Sequence, residues 1–268
     1  MTLPRQGRVR KRERGTMESP PARKAATAKQ GQLGVVEHAA KSDVGRERAG
    51  NEDSLLVRPP LFVVADGMGG AEAGEVASQT AVGVLEEAAE TGDLPDELGA
   101  AVEAANARVH GMAVEDPSRA GMGCTLTAAF AADGGLTVAH VGDSRVYRLR
   151  GGKLEQVTDD HSLVGGLVRL GELTPAEAEQ HPQRSVILRA VGVEPNVEVD
   201  VFHQELEPGD VYLVCSDGLT SMVRDEVIAD TLGMFPVLAE AAAMLVDLAN
   251  ASGGRDNITV VLFRIDRA

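Results

Sequence analysis

Four short apolar runs in this chain each meet an aspartate at one end. LFVVA (61–65) leads into Asp66, LTVAHVG (136–142) into Asp143, and VYLVCS (211–216) into Asp217, while Asp256 stands just ahead of NITVVLF (257–263). Runs of this length, rich in Val and Leu and bounded by Gly and Asp, read as buried β-strands. If the strands share a sheet, their carboxylates gather at its ends. Gathered carboxylates repel one another and need a cation to hold them ionised. The pattern therefore points to a strand-layered fold that carries a site for hard divalent metals.

The chain has 268 residues, enough for a sizeable core in one large or two small domains. It has no Trp, two Tyr and five Phe, so the core must be built from Val, Leu, Ala and Ile. The net charge of −15 argues against a nucleic-acid binder over the whole length and suits divalent cations. Residues 1–30 depart from that balance: nine Lys or Arg face Glu13 and Glu18, a local charge of +7 that leaves −22 for the rest. This stretch reads as a basic, disordered tail, with a partner-binding or nucleic-acid-binding arm as the sharper alternative and Met17 as an alternative start. It lacks the apolar core of a secretory signal, and no run approaches the ~18 apolar residues of a membrane span. Cys124 and Cys215 lie in apolar, strand-like surroundings, which fits a reducing cytoplasm and plain packing.

Periodicity extends the pattern. Strands are expected over Val35–Ala40, Ser54–Val57, Leu61–Ala65, Thr125–Ala131, Leu136–Val141, Arg145–Arg150, Leu154–Val157, Val197–Glu205, Val211–Cys215 and Asn257–Ile265. Gly134-Gly135 and Gly151-Gly152 mark hairpins. Helical spacing covers 72–89, and a second helix with Asp96 as its N-cap runs to about Val114. Ser162–Leu170 and Pro175–Glu179 read as short helices, followed by a polar, mobile stretch to about Arg184. A long helix with Pro236 near its first turn ends about Asn250. Two helical blocks among hairpin-linked strands predict an α+β layered domain over 31–268.

Each acidic motif is unremarkable alone. Asp66-Gly67-Met68-Gly69-Gly70 reads first as a tight turn, although its glycines also let backbone approach a ligand, so that the Gly67 carbonyl could join Asp66 on a metal. Asn51-Glu52-Asp53, Ser216-Asp217-Gly218 and Arg255-Asp256-Asn257 are ordinary polar turns. Their combination at the ends of separate apolar runs carries the argument.

In order, SDVGRERAGNEDS, VVADGMGG, GCTLT, HVGDSR, CSDGL and GGRDNITVV closely resemble the bacterial branch of the metal-dependent type 2C serine/threonine protein phosphatases over roughly 40–264. The resemblance implies a four-layer αββα sandwich of two antiparallel sheets flanked by helices, with two Mn²⁺ or Mg²⁺ ions at one end. It implies that Asp66 bridges the metals and that the Gly67 carbonyl binds one of them. Asp217 and Asp256 would each hold one ion, and Glu52 would act through water. Asp143 and Asp217 would share a weaker third ion, which Ser185 would also approach, while Arg48 would bind phosphate and Asn257 would support the site. The implied reaction is direct attack of a metal-bridging hydroxide on phosphoserine or phosphothreonine, without a phosphoenzyme. The implied partners are phosphorylated proteins, among them a eukaryotic-like Ser/Thr kinase and its targets, with phosphorylated anti-anti-sigma proteins as an alternative substrate class. A cytoplasmic monomer is expected.

Two positions depart from the family pattern. Met68 stands where eukaryotic relatives place a histidine, so the leaving-group proton needs another source; His161 is a conceivable one, though an ordinary flap or surface histidine is the blander reading. Cys124 replaces a usual Thr and reads as a tolerated buried change. Other phosphatase chemistries lack their residues: the sixth position after Cys124 is Phe130 and after Cys215 is Ser221, where a cysteine phosphatase needs Arg, and neither RHG nor GNHE occurs. A catalytically dead binding module is disfavoured because every expected acid and Arg48 are present.

Overall fold

The computed structural model describes residues 32–69, 73–91, 94–132 and 134–267. The proposed basic tail lies outside them. In chain order the elements are β1 (Leu33–Asp43), β2 (Ser54–Arg58), β3 (Leu61–Ala65), β4 (Gly67–Met68), α1 (Ala73–Thr91), α2 (Leu94–Glu115), β5 (Gly123–Cys124), β6 (Leu126–Ala132), β7 (Gly135–Val141), β8 (Arg145–Arg150) and β9 (Lys153–Gln156). Then follow α3 (Leu163–Arg169), α4 (Pro175–Glu179), β10 (Asp200–Glu205), β11 (Val211–Cys215), α5 (Asp217–Thr220), α6 (Asp225–Met234), α7 (Leu238–Ala251) and β12 (Ile258–Arg267).

Two five-stranded sheets form, ordered β1-β12-β11-β8-β9 and β10-β7-β6-β3-β2, and every pairing within them is antiparallel. The continuous apolar runs follow from burial on both faces. In β3, Leu61, Val63 and Ala65 pack with α1 and α2, while Phe62 and Val64 turn to the opposite sheet. In β12, Ile258, Val260 and Leu262 pack with α7, while Val261, Phe263 and Ile265 face inward. Phe62 and Phe263 stack across the inter-sheet core with centroids 4.2 Å apart, and Tyr212 lies 5.1 Å from Phe263. Helix, sheet, sheet and helix thus form the expected αββα sandwich.

Some expected elements differ. The helix with Asp96 starts at Leu94, so Asp96 lies in its first turn instead of capping it. The single helix expected near Pro236 is preceded by two more, α5 and α6, and α7 begins at Leu238 after Pro236. The DGMGG segment continues into a two-residue strand, with Gly67 paired to Cys124 and Met68 to Gly123. α3 and α4 occur where expected, capped by Ser162 and by a reciprocal Thr174–Glu177 capping box. Among the described residues no helix is long and apolar enough to cross a membrane.

Register sets where the acids go. In one sheet Ser54 pairs with Ala65 and Leu126 with Val141; in the other Cys215 pairs with both Arg145 and Val260, and Asp43 with Ile258. The residues just outside those pairs are Asp53, Asp66, Asp143, Asp217 and Asp256. All lie at one end of the sandwich.

Candidate metal and phosphate site

Asp66 leaves β3 with its backbone tied to Thr125: its N–H donates to Thr125 Oγ1 at 2.9 Å and its carbonyl accepts the Thr125 N–H at 2.8 Å. Thr125 Oγ1 also lies 2.7 Å from Ser144 Oγ, so one threonine links the Asp66 strand end to the Asp143 turn. Asn257, buried beside Asp256, organises the opposite rim. Its Oδ1 accepts the Glu52 N–H at 2.8 Å, and its Nδ2 donates to the carbonyls of Val44 and Gly50, each at 2.9 Å. This bonding fixes the loop that carries Arg48 and Glu52. Gly67 donates its N–H to the Glu52 carbonyl at 3.2 Å. A Cβ on Gly74 would collide with the Glu52 carboxylate and the Gly67 backbone, so the start of α1 fits there only as glycine.

The electrostatics confirm the crowding of charge. Burial pushes the Asp66 carboxyl well above the carboxylate range, and Asp53, Asp217, Asp143 and Asp256 push it the same way. Asp143 is pushed up to about 8 by burial, then by Asp217. Burial also raises Asp217, with Asp256 adding to it and a hydrogen bond to Asp66 opposing. Glu52 rises through burial, partly offset by Arg48. Among the described residues, the Oδ1 atoms of Asp53, Asp143 and Asp217 are buried without a hydrogen-bond partner. Orphaned buried acceptors are costly, so each calls for a donor or a cation.

Arg48 Nη2 stands 2.7 Å from Asp256 Oδ2 at the exposed rim. Asp143 and Asp217 also line a groove of about 670 Å³, as do Ser162, Arg169, Arg184 and Ser185. Ser185 therefore shares the groove with the two aspartates. Among the described residues no three acidic, His or Cys side chains already surround one ion position. The donor set nevertheless fits hard cations, because Mg²⁺ takes one or two carboxylates and keeps several waters instead of needing an all-protein cage.

Asp53, in the NED turn, carries no role in the sequence reading. Burial raises it to about 7, with Asp217 and Asp256 contributing and bonds from Thr259 and Ser216 opposing. Ser216 Oγ donates to its Oδ2 at 2.8 Å. His161 is not a surface histidine. It is 4% exposed, its Nδ1 accepts the Gly142 N–H at 3.1 Å, and its Nε2 lies 3.3 Å from Asp200 Oδ2, so neither ring nitrogen is free to serve a leaving group. Cys124 is fully buried, and burial raises its thiol far from ionisation, as expected of a packing residue.

The family model for protein phosphatase 2C matches residues 48–251. The chain belongs to the protein phosphatase 2C family. It is 46% identical over 231 residues to the serine/threonine protein phosphatase PstP of Mycobacterium tuberculosis, a match that covers 85% of this chain and 45% of PstP. It is 42% identical over 234 residues to the serine/threonine phosphatase stp of Listeria welshimeri, covering 83% of this chain and 93% of that protein. The chain thus spans less than half the length of PstP and nearly all of stp. The crystal structure of the PstP catalytic domain in complex with two manganese ions superposes with a TM-score of 0.81 at 43% identity, covering 87% of this chain and 99% of that one.

Proposed function

We propose that this chain is a metal-dependent protein serine/threonine phosphatase, and that two Mn²⁺ or Mg²⁺ ions, with a weaker third, bind among its convergent acids. The reading is carried by three orphaned, buried aspartate oxygens at the end of the sandwich where Arg48 pairs with Asp256, in a chain of this family. Asp66 would serve both ions and the Gly67 carbonyl one of them; Asp217 and Asp256 would serve one ion each, Glu52 would act through water, and Asp143 with Asp217 would serve the third. When bound, the ions supply the charge that keeps these carboxylates ionised and the Lewis acidity that yields a hydroxide near neutral pH.

The chain's own residues do the rest. Arg48 offers a planar fork that matches two phosphate oxygens, which a lysine would match less well. Asn257 and Thr125 hold the loop and strand end that carry the acids, so that binding energy is not spent on ordering them. Met68 has no proton to donate and both His161 nitrogens are engaged, so neither supplies the leaving-group proton. No side-chain nucleophile is needed.

The catalytic domain is assigned to 31–268. A single chain carries every assigned residue, so a monomer suffices. Two free, buried thiols fit a reducing cytoplasm. Substrates are phosphorylated proteins, with a eukaryotic-like Ser/Thr kinase and its targets as the favoured partners. The test is turnover of phosphoserine and phosphothreonine peptides with Mn²⁺, Mg²⁺ and EDTA. Activity should require metal, stop on chelation and return on re-addition. Metal-independent turnover, or inhibition by orthovanadate typical of a cysteine nucleophile, would overturn the reading.

A further inference from the structure

His161 stands where the chain leaves β9 for α3, and it closes both backbone groups of one residue in the Asp143 turn. Its N–H donates to the Gly142 carbonyl at 2.7 Å, and its Nδ1 accepts the Gly142 N–H at 3.1 Å. Its own carbonyl accepts the Leu188 N–H at 2.8 Å, while the Leu163 N–H donates to the Val186 carbonyl at 2.8 Å. Ser162 and Ile187 form an antiparallel bridge between these bonds. The outgoing and returning arms of the 162–187 segment therefore meet at this histidine.

The bonding assigns a tautomer. With Nδ1 an acceptor, the proton of the neutral ring sits on Nε2, which faces Asp200 Oδ2. Asp200 is held in turn by Arg189, whose Nη1 lies 2.5 Å from its Oδ1 and 3.2 Å from the His161 Nε2. A second buried histidine packs alongside: the ring of His140 is 4.7 Å from that of His161. Its Nε2 lies 3.1 Å from the Asp159 carbonyl and its Nδ1 2.9 Å from Thr127 Oγ1, and Thr127 Oγ1 is 3.2 Å from the Ser144 carbonyl. The turn is thus gripped on either side of Asp143, at Gly142 by His161 and at Ser144 through Thr127 and His140. It has no room to retreat. Gly142 has φ +114, and a Cβ there would stand 2.6 Å from Thr125 Cβ.

From this geometry we infer that His161 is a positioning residue, which sets the Asp143 turn and both feet of the 162–187 segment as one unit. Asp143 lines the groove together with Ser162, Arg169, Arg184 and Ser185, so the clamp fixes the acid relative to the segment that shares the groove with it. Its effect on turnover rests on the reading of Asp143 as a cation ligand. The clamp itself stands on backbone bonds that need no metal. A histidine that merely fills space would be replaced by leucine with little consequence. A positioning histidine would be replaced only by a side chain that keeps an acceptor at the Nδ1 place.

The test compares His161→Leu, which keeps apolar bulk, with His161→Asn, whose Oδ1 sits near the Nδ1 position, and His161→Gln, whose amide reaches the Nε2 position instead. In EDTA, amide exchange at 142–144 and 186–188 should accelerate about tenfold or more in the Leu variant and stay near wild type in the Asn variant. With a small aryl phosphate, half-saturating Mn²⁺ should rise by about tenfold or more in the Leu variant, within the usual range for lost outer-shell partners, and recover in the Asn variant. The KM for the phosphate ester should move little. Wild-type exchange in the Leu variant, or equal loss in Leu and Asn, would overturn the inference. If the Leu variant does not fold, the pair of polar variants decides: rescue by Asn and not by Gln supports the clamp, and the reverse contradicts it. A wild-type protein without metal-dependent turnover would remove the proposed activity, and the exchange comparison would still decide the role of His161.

Discussion

Arg48 is exposed over about half its side chain, yet it lies 2.7 Å from Asp256 at the edge of the acidic cluster. An exposed ion pair stabilises little, so the proposed role of Arg48 is phosphate binding and not stability. Arg48→Ala should raise KM for a phosphopeptide by about 10-fold or more, the scale of one or two charge-assisted hydrogen bonds, while the thermal midpoint moves little. An unchanged KM would remove Arg48 from phosphate binding. Asp143 gives a prediction of the opposite kind. Its folded-state pKa is raised from 3.8 to about 8, so the stability it contributes is full below about 3.8 and lost as pH rises through about 8. His140, lowered by burial to about 4, works against folding as pH falls, so only a comparison of variants isolates the aspartate. In EDTA, Asp143→Asn should lose less stability than wild type as pH rises from 5 to 8, because folding holds the Asp143 carboxyl protonated and the amide has no proton to lose. Parallel melting curves across that range would contradict the account.

At the scale of elements, legibility followed burial. β3, β11 and β12 are covered on both faces, so their apolar runs are continuous and their ends are marked by the acids themselves. β10 alternates half-buried and exposed positions at a sheet edge, and its start was placed at Val197 instead of Asp200. The helix α6 was missed although Ile228, Thr231 and Leu232 have helical spacing; its N-cap, Arg224, makes no side-chain cap bond and so leaves no start signal. The acids were readable because each adjoins a strand. The role of His161 was not, since it depends on Leu188 and Asp200, which only the fold brings near. The sandwich itself rests on the inter-sheet core. Phe263→Ala would empty the stack with Phe62 and Tyr212, and should cost about 3–5 kcal/mol by chemical denaturation. A loss below about 1 kcal/mol would mean that the sheets are held elsewhere.

For the whole molecule, charge separates a basic first stretch from an acidic remainder. Residues 1–30 carry +7 against −22 in the rest, and every assigned site residue lies beyond them. Their deletion should leave kcat and KM on a phosphopeptide within about twofold, because no site group is removed; a larger loss would give them a part in catalysis. The central claim concerns the other end of the charge balance. An acidic cluster with orphaned buried oxygens is stable near neutral pH when cations neutralise it. The most direct measurement is titration calorimetry of Mn²⁺ into metal-free wild type and into Asp66→Asn. The wild type should take up at least two ions, and Asp66→Asn should lose that uptake. No uptake by the wild type, or equal uptake by both proteins, would contradict the claim.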